Sequence, residues 1–347
     1  MSDTAPGSTP PPDAHGGATE ADWSSVRLHI VSGKGGTGKT TMAAALAIAL
    51  ATGGRKVLLV EVEGRQGLAQ VFNTPPLEYG EHRIAGAPGG GNVFALSVEP
   101  EAAMLEYLEL FYNIKRGGAA LRRVGAVDFA TTIAPGLRDV LLTGKVGESV
   151  RRKEGRGFLW DAVVVDAPPT GRIARFLTAN SEASDLARVG PIKNQATLVM
   201  GVLRSEQTAV HLVTLLEEMP VQETVDGMAD LAANQLPMGG IIVNMTRPHL
   251  LSDTQMATVR TDGPDLDKLA DDLRSVGLES TADNSAALDG LGVEASDHVT
   301  RVDMERDERK RLSGHDVPLL EIPQLPEGID VAALYGIAEL LREQGVA

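Results

Sequence analysis

From Val26 onward the chain alternates short, continuous apolar runs with longer stretches of helical periodicity. Leu28-His29-Ile30-Val31 is the first run, stopped by Ser32-Gly33, and has the length and punctuation of a buried strand. Thr40 to Ala51 sets Met42, Leu46, Ile48 and Leu50 among alanines and stops at Gly53-Gly54, which predicts a narrow helix ended by glycine. Val57-Leu58-Leu59-Val60 is a second apolar strand, and strand, helix, strand at this spacing predicts a right-handed unit in a parallel sheet. Further strands are expected at Val93 to Val98, Ala162 to Val165, Ala209 to Leu216 and Ile241 to Val243, with a proline-flanked one at Val317 to Ile322. Helices are expected at Glu101 to Tyr112, Ala196 to Leu203 and Thr224 to Ala233. The fold class this implies is α/β, a doubly wound and mainly parallel sheet covered on both faces. Gly86 to Gly91 is glycine-rich but lacks lysine and reads as a turn before a strand.

After Pro248 the pattern changes. Residues 249–314 carry short amphipathic stretches such as Leu266 to Val276, separated by acidic turns and poor in strong β-formers, so a helical insertion is expected before the last strand. The length of 347 residues admits two domains, but no internal repeat is present, and one nucleotide-binding domain over residues 26–347 is expected. Residues 1–25 are expected to be a disordered tail, since residues 1–22 are rich in Pro, Gly, Ser and Thr and contain no Lys or Arg. A net charge of -15 argues against nucleic acid as a partner. No run of about 18 apolar residues exists to span a bilayer, so no integral membrane segment is expected. The complete absence of cysteine excludes disulfides, thiolate metal sites and cysteine nucleophiles, and fits the reducing cytoplasm expected as its location.

The strongest chemical signal lies between the first strand and the first helix. Gly33-Lys34-Gly35-Gly36-Thr37-Gly38-Lys39-Thr40 satisfies G-x-x-x-x-G-K-[ST] in full. Glycines let several backbone N–H groups converge on phosphate oxygens, the helix N-terminus adds partial positive charge, and Lys39 adds a full one. Thr40 places a hydroxyl where Mg²⁺ bridging the phosphates would sit, and Thr41 follows it among the cofactor-binding candidates. Gly33, Gly35 and Gly38 also satisfy G-x-G-x-x-G, with Glu61 where a dinucleotide fold keeps its ribose acid. That pattern has no need of a lysine and a hydroxyl after its last glycine, so ATP with Mg²⁺ is the favoured ligand.

Lys34, a second lysine directly after the first glycine, marks the deviant class of these loops. With it, the chain resembles the arsenite-pump (ArsA) and tail-anchored-protein-targeting ATPases from Arg27 to about Glu343. The resemblance implies a nucleotide-sandwich dimer in which Lys34 reaches the facing subunit's nucleotide. Asp166-Ala-Pro-Pro-Thr-Gly171, followed by Arg172 to Leu177, resembles the family's second switch, where the aspartate orients Mg²⁺ through water. Asn244, ending Ile241-Ile-Val-Asn, matches the family's adenine-reading asparagine, and Pro318 to Pro326 matches its base-covering loop. Thr214 to Thr224 resembles a strand-to-helix segment with a Glu-Thr pair opening the helix. Its Glu217 and Glu223 are open to two readings, contact with the facing subunit or plain helix capping. Arg65-Gln66-Gly67 and Thr131 to Gly136 bring the chain nearest to one of a paired set of actinobacterial ATPases described as anion-transporting, which implies a partner subunit of the same fold.

Two departures bear on function. The family's Asp-Pro-Ala-His run, whose aspartate positions the attacking water, is replaced by Glu63-Gly64-Arg65-Gln66, so a carboxylate is kept with an extra methylene. Hydrolysis is therefore expected to be slow, and the alternative is a non-hydrolysing nucleotide-gated scaffold paired with a catalytic paralogue. Second, without cysteine neither thiolate sensing of arsenite nor a dimer-clamping zinc site is possible. Met104, Leu108, Phe111 and Tyr112 form an amphipathic stripe that reads more readily as core than as a client groove, and Asn113 to Gly136 would make a short client segment. A membrane-cycling role would need a basic C-terminal helix, whereas Ala332 to Val346 sets Glu339 and Glu343 against Arg342 alone. The expectation is thus a dimeric ATPase that switches the surface bound by an unidentified protein client, with Lys34, Glu63 and Asp166 as its catalytic residues.

Overall fold

Burial on both faces explains the apolar runs. In the computed structural model, which describes residues 23–112, 135–186, 191–326 and 328–346, every residue of the first strand, β1 (Leu28–Gly33), is buried. Leu28 and Ile30 join the core on one face of the sheet and Val31 joins that on the other. Such strands sit inside a parallel sheet, where helices cover both sides. The remaining strands are β2 (Lys56–Glu61), β3 (His82–Ala87), β4 (Gly91–Ser97), β5 (Lys153–Glu154), β6 (Gly157–Phe158), β7 (Ala162–Asp166), β8 (Thr208–Thr214), β9 (Met238–Thr246) and β10 (Leu319–Pro323). Eight of them form one sheet in the order β10-β9-β8-β1-β7-β2-β4-β3, while β5 and β6 make a small separate ribbon. Every pairing in the large sheet is parallel except β3 with β4. The expected doubly wound α/β fold is therefore observed.

On one face lies α1 (Lys39–Ala51), buried throughout from Met42 to Ala51 because its alanines let it settle against the strands. The opposite face is covered by α3 (Pro100–Tyr112), α4 (Pro135–Arg151), α5 (Thr170–Leu186) and α6 (Pro191–Leu203), which follow the short α2 (Gly67–Val71). Next comes α7 (Glu218–Ala233), and the insertion segment between β9 and β10 holds four helices, α8 (Asp253–Asp262), α9 (Leu266–Ser275), α10 (Glu279–Ala282) and α11 (Ser285–Ser313). The insertion has a small core of its own in Met256, Val299 and Val302. Arg309 ties it to β10 by a two-pronged bond to Glu321 at 2.7 and 3.0 Å. The chain's last helix, α12 (Val331–Glu343), packs on α1. Among the described residues no helix is long and apolar enough to cross a membrane.

Two boundary differences bear on the expected elements. Trp23 is buried against the core, so the folded part takes in residues 23–25, which the sequence assigned to the tail. Helix α7 begins at Glu218, six residues before Thr224, because Pro220 falls in its first turn, where a missing N–H costs nothing. Glu223 and Thr224 therefore do not open the helix. Strand β3 and helices α4 and α5 were not anticipated. Met104 packs against the core, whereas the side chains of Leu108, Phe111 and Tyr112, residues 113–134 and residues 1–22 lie outside the described residues.

Trp23 covers a buried histidine pair. His29 of β1 and His211 of β8 stack with ring nitrogens 3.1 Å apart, and Trp23 meets His211 edge-on at 4.5 Å. Burial pushes His29 well below the ordinary 6.5 and His211 down to about 3. Their contribution to stability is complete above about pH 6.5 and is lost as pH falls toward 3, because only the unfolded chain takes up these protons, at about 1.4 kcal/mol per histidine per pH unit. Asp166, whose carboxyl is raised, opposes this slope, so the informative quantity is a difference. A His29→Leu, His211→Phe double variant is expected to lose less melting temperature than the wild type between pH 7 and 5. Parallel curves would refute the assignment.

Candidate nucleotide site

The site lies at the carboxyl ends of the central strands, where ligands bind in open parallel sheets. Gly33 closes β1 against its neighbour: a Cβ there would stand 2.2 Å from the Val213 carbonyl oxygen. Gly38 turns the chain into α1 with φ 90, a left-handed conformation, and a Cβ there would meet the Asn244 amide nitrogen at 2.4 Å. No side chain caps α1, so the N–H groups of its first turn remain available for phosphate oxygens. Gly35 and Gly36 are exposed on the loop, and Lys39, Thr40 and Thr41 are half-buried at its helical end. The loop is braced from inside, since Thr37 is buried and donates its hydroxyl to the Lys34 carbonyl at 2.8 Å.

The pairing register sets the acid beside this loop. Asp166 ends β7 directly opposite Val31 of β1 and Glu61 of β2. Thr40 donates its hydroxyl to Asp166 at 2.7 Å. Burial raises the Asp166 carboxyl to about 6, and the charges of Glu61 and Glu63 push in the same direction against the Thr40 bond and Lys39. A hydroxyl and a carboxylate in contact, with two more carboxylates adding negative potential, form a hard-oxygen donor set that suits Mg²⁺ completed by water and phosphate oxygens. Ser32 links β1 to the segment after Asp166 by donating to the Pro168 carbonyl at 2.6 Å.

The other candidates take distinct places. Asn244, buried at the end of β9, donates to the Thr37 carbonyl at 2.8 Å and accepts from the Met245 N–H at 2.9 Å. Lys34 is ion-paired with Glu223 at 2.8 Å, and Glu223 also accepts from the Thr170 hydroxyl at 3.3 Å. Glu217 stands at the N-cap of α7, but its side chain makes no capping bond. Glu63 is mostly covered, and its nearest ionic partner is Arg65 at 3.9 Å. Glu61, read in the sequence only as a rival ribose acid, is buried with its carboxylate accepting from the Gly67 N–H at 2.6 Å and the Ser97 hydroxyl at 3.2 Å. It thereby anchors the segment that carries Glu63. Its place as the last residue of an apolar strand was the available signal.

A mainly parallel sheet whose first strand runs through a complete phosphate loop into an uncapped helix defines a P-loop NTPase fold. The chain belongs to the anion-transporting ATPase family, the ArsA ATPases, whose family model matches residues 26–205. It is similar to the ATPase BagA of Mycobacterium tuberculosis, 50% identical over 335 residues that cover 95% of this chain and 98% of that one. A more distant similarity is to the ATPase GET3 of Kluyveromyces lactis, 27% identical over 256 residues, 64% of this chain and 72% of the relative. The ATPase get3 of Schizosaccharomyces japonicus is 30% identical over 192 residues, 53% and 55% of the two chains.

Proposed function

We propose that the chain is a Mg²⁺-dependent ATPase that works as a dimer, with a second copy or with a paralogue of the same fold, and whose nucleotide state alters a surface bound by a protein client. The observation that carries this reading is the 2.7 Å contact of Thr40 with Asp166 beside a complete phosphate loop and an uncapped helix. Gly33, Gly35, Gly36, Thr37 and Gly38 present backbone N–H groups to the phosphates, and Lys39 adds its charge. Thr40 and Asp166 would hold Mg²⁺, the aspartate through water, and the ion would neutralise phosphate charge. Asn244 fixes the loop through Thr37 and retains one N–H and one oxygen lone pair with which to read adenine.

Glu63 accepts the proton of the attacking water or orients it. A second reading, a scaffold that binds nucleotide without cleaving it, is favoured by one feature: the Glu63 carboxylate stands within ion-pair reach of Arg65, at 3.9 Å. Single-turnover assays separate the two. Glu63→Gln is expected to lower turnover by about tenfold and leave ATP affinity nearly unchanged. A wild-type rate equal to that of a Lys39→Ala control, alone and with the paralogue, would establish the scaffold. Mass measured in solution, with and without Mg²⁺ and ATP, tests the dimer.

A further inference from the structure

Among the described residues the Glu63 carboxylate accepts no hydrogen bond, and its nearest ionic partner is Arg65 at 3.9 Å. The place of its oxygens is therefore set by the backbone that carries it, residues 62–66 between β2 and α2. That backbone is unusual. Gly64 has φ 66 and Gln66 has φ 56, so two of the three residues that follow Glu63 lie in the left-handed region, which glycine adopts freely and glutamine rarely. A non-glycine residue persists there only where its surroundings over-determine it, and such residues cluster at functional sites.

Gln66 stands at the N-cap of α2, yet its side chain makes no capping bond. Its amide instead pairs with Leu77 as a neighbouring strand would. The Leu77 N–H donates to Gln66 Oε1 at 2.8 Å, and Gln66 Nε2 donates to the Leu77 carbonyl at 3.1 Å. Leu77 is itself fixed: its side chain is buried, and two residues further on the Tyr79 hydroxyl donates to Glu106 of α3, which also accepts from Lys145 of α4 at 2.7 Å. The turn after Glu63 is thus referred, through one side-chain amide, to a segment tied to two helices.

We propose that Gln66 is a positioning residue for ATP hydrolysis, whose clamp on Leu77 holds the left-handed turn that brings the Glu63 carboxylate to the attacking water. The proposal rests on the reading of Glu63 as the group that orients this water. A carboxylate with no hydrogen-bond partner depends on its backbone for aim, and a displacement of about 1 Å costs about 100-fold in a geometry-dependent step. Glu61 closes the turn from the other side through the Gly67 N–H at 2.6 Å, so loss of the clamp alone loosens the turn without unfolding it.

The test is single-turnover and steady-state hydrolysis of Mg²⁺–ATP by the full chain, alone and with the paralogue, carrying Gln66→Gly, which permits the left-handed turn and removes the clamp. The expected result is a fall in kcat of about tenfold with KM for ATP within about twofold, because the clamp acts in the transition state and hardly in the ground state. Gln66→Glu has nearly the same shape and keeps one of the two bonds, so it should fold as the wild type does and lose about threefold. In a Glu63→Gln background Gln66→Gly should cost no more than about a further twofold, since a positioning residue acts through the group it positions. The proposal is overturned if Gln66→Gly keeps the wild-type kcat, if it raises KM alone, or if its loss multiplies with that of Glu63→Gln, as a purely structural clamp would make it do. A wild-type rate equal to that of Lys39→Ala overturns the ATPase reading and the proposal with it, and the wild type alone tells that failure from the others.

Discussion

Lys39→Ala should lose ATP affinity by about 100-fold or more while the protein remains folded. Lys39 sits in the first turn of α1, where the N–H groups are uncapped, so its ammonium and these dipoles act on the same anion. Removing one charge-assisted contact to a phosphate from a partly dehydrated site is worth about 3 kcal/mol, which corresponds to that factor. Among the described residues the Lys39 side chain enters no ion pair or hydrogen bond, and its charge lowers the Asp166 carboxyl against the effect of burial. The fold therefore loses little, and the melting temperature should move by no more than about 3 °C. Calorimetric titration with Mg²⁺ and ATP measures the first quantity and thermal unfolding the second. Unchanged affinity would remove the phosphate loop from the site.

The sequence made this element legible because three independent signals coincide there: an apolar strand, a glycine-lysine spacing and an alanine-rich helix. The same clarity did not extend to the helices on the opposite face. Helix α4 contains Gly136, Gly144 and Gly147, which lower helical propensity and hide its periodicity. Gly147 is needed for packing, since a Cβ there would come within 3.1 Å of Val199. Strand β3 reads His-Arg-Ile-Ala-Gly-Ala, with little β-propensity, and lies at the sheet edge, held by antiparallel pairing with β4 and by the Tyr335 hydroxyl, which donates to the Gly86 carbonyl at 2.6 Å. Within the site, Asp166 was legible because it ends an apolar strand. The contacts of Asn244 with Thr37 and of Lys34 with Glu223 join residues far apart in sequence, and no local pattern encodes them.

That last contact shapes the remaining prediction. Lys34 is the residue whose resemblance-based role lies across a dimer interface, yet here it is paired within its own chain to Glu223, which in turn accepts from Thr170 at the start of α5. Glu223 thus joins the phosphate loop to the segment that follows Asp166. On the dimer reading, Lys34 must leave Glu223 to reach the facing nucleotide. The side chains of both partners are about a third exposed, 30% and 35%, so the pair is screened by solvent and contributes under about 1 kcal/mol, a modest barrier to release. Lys34→Ala should therefore keep Mg²⁺–ATP affinity within about threefold but lose turnover by about 100-fold, the effect of withdrawing one preorganised charge from the transition state. Glu223→Gln removes the competing partner and leaves Lys34 in place, so turnover should be retained or raised up to about threefold, with the melting temperature nearly constant. Steady-state and single-turnover assays on both variants, each alone and with the paralogue, give the comparison. If Lys34→Ala hydrolyses ATP at the wild-type rate in both settings, Lys34 is a surface partner of Glu223 and the sandwich arrangement is wrong. If Glu223→Gln instead falls as far as Lys34→Ala, the carboxylate serves the reaction itself, and the pair within one chain belongs to the active arrangement.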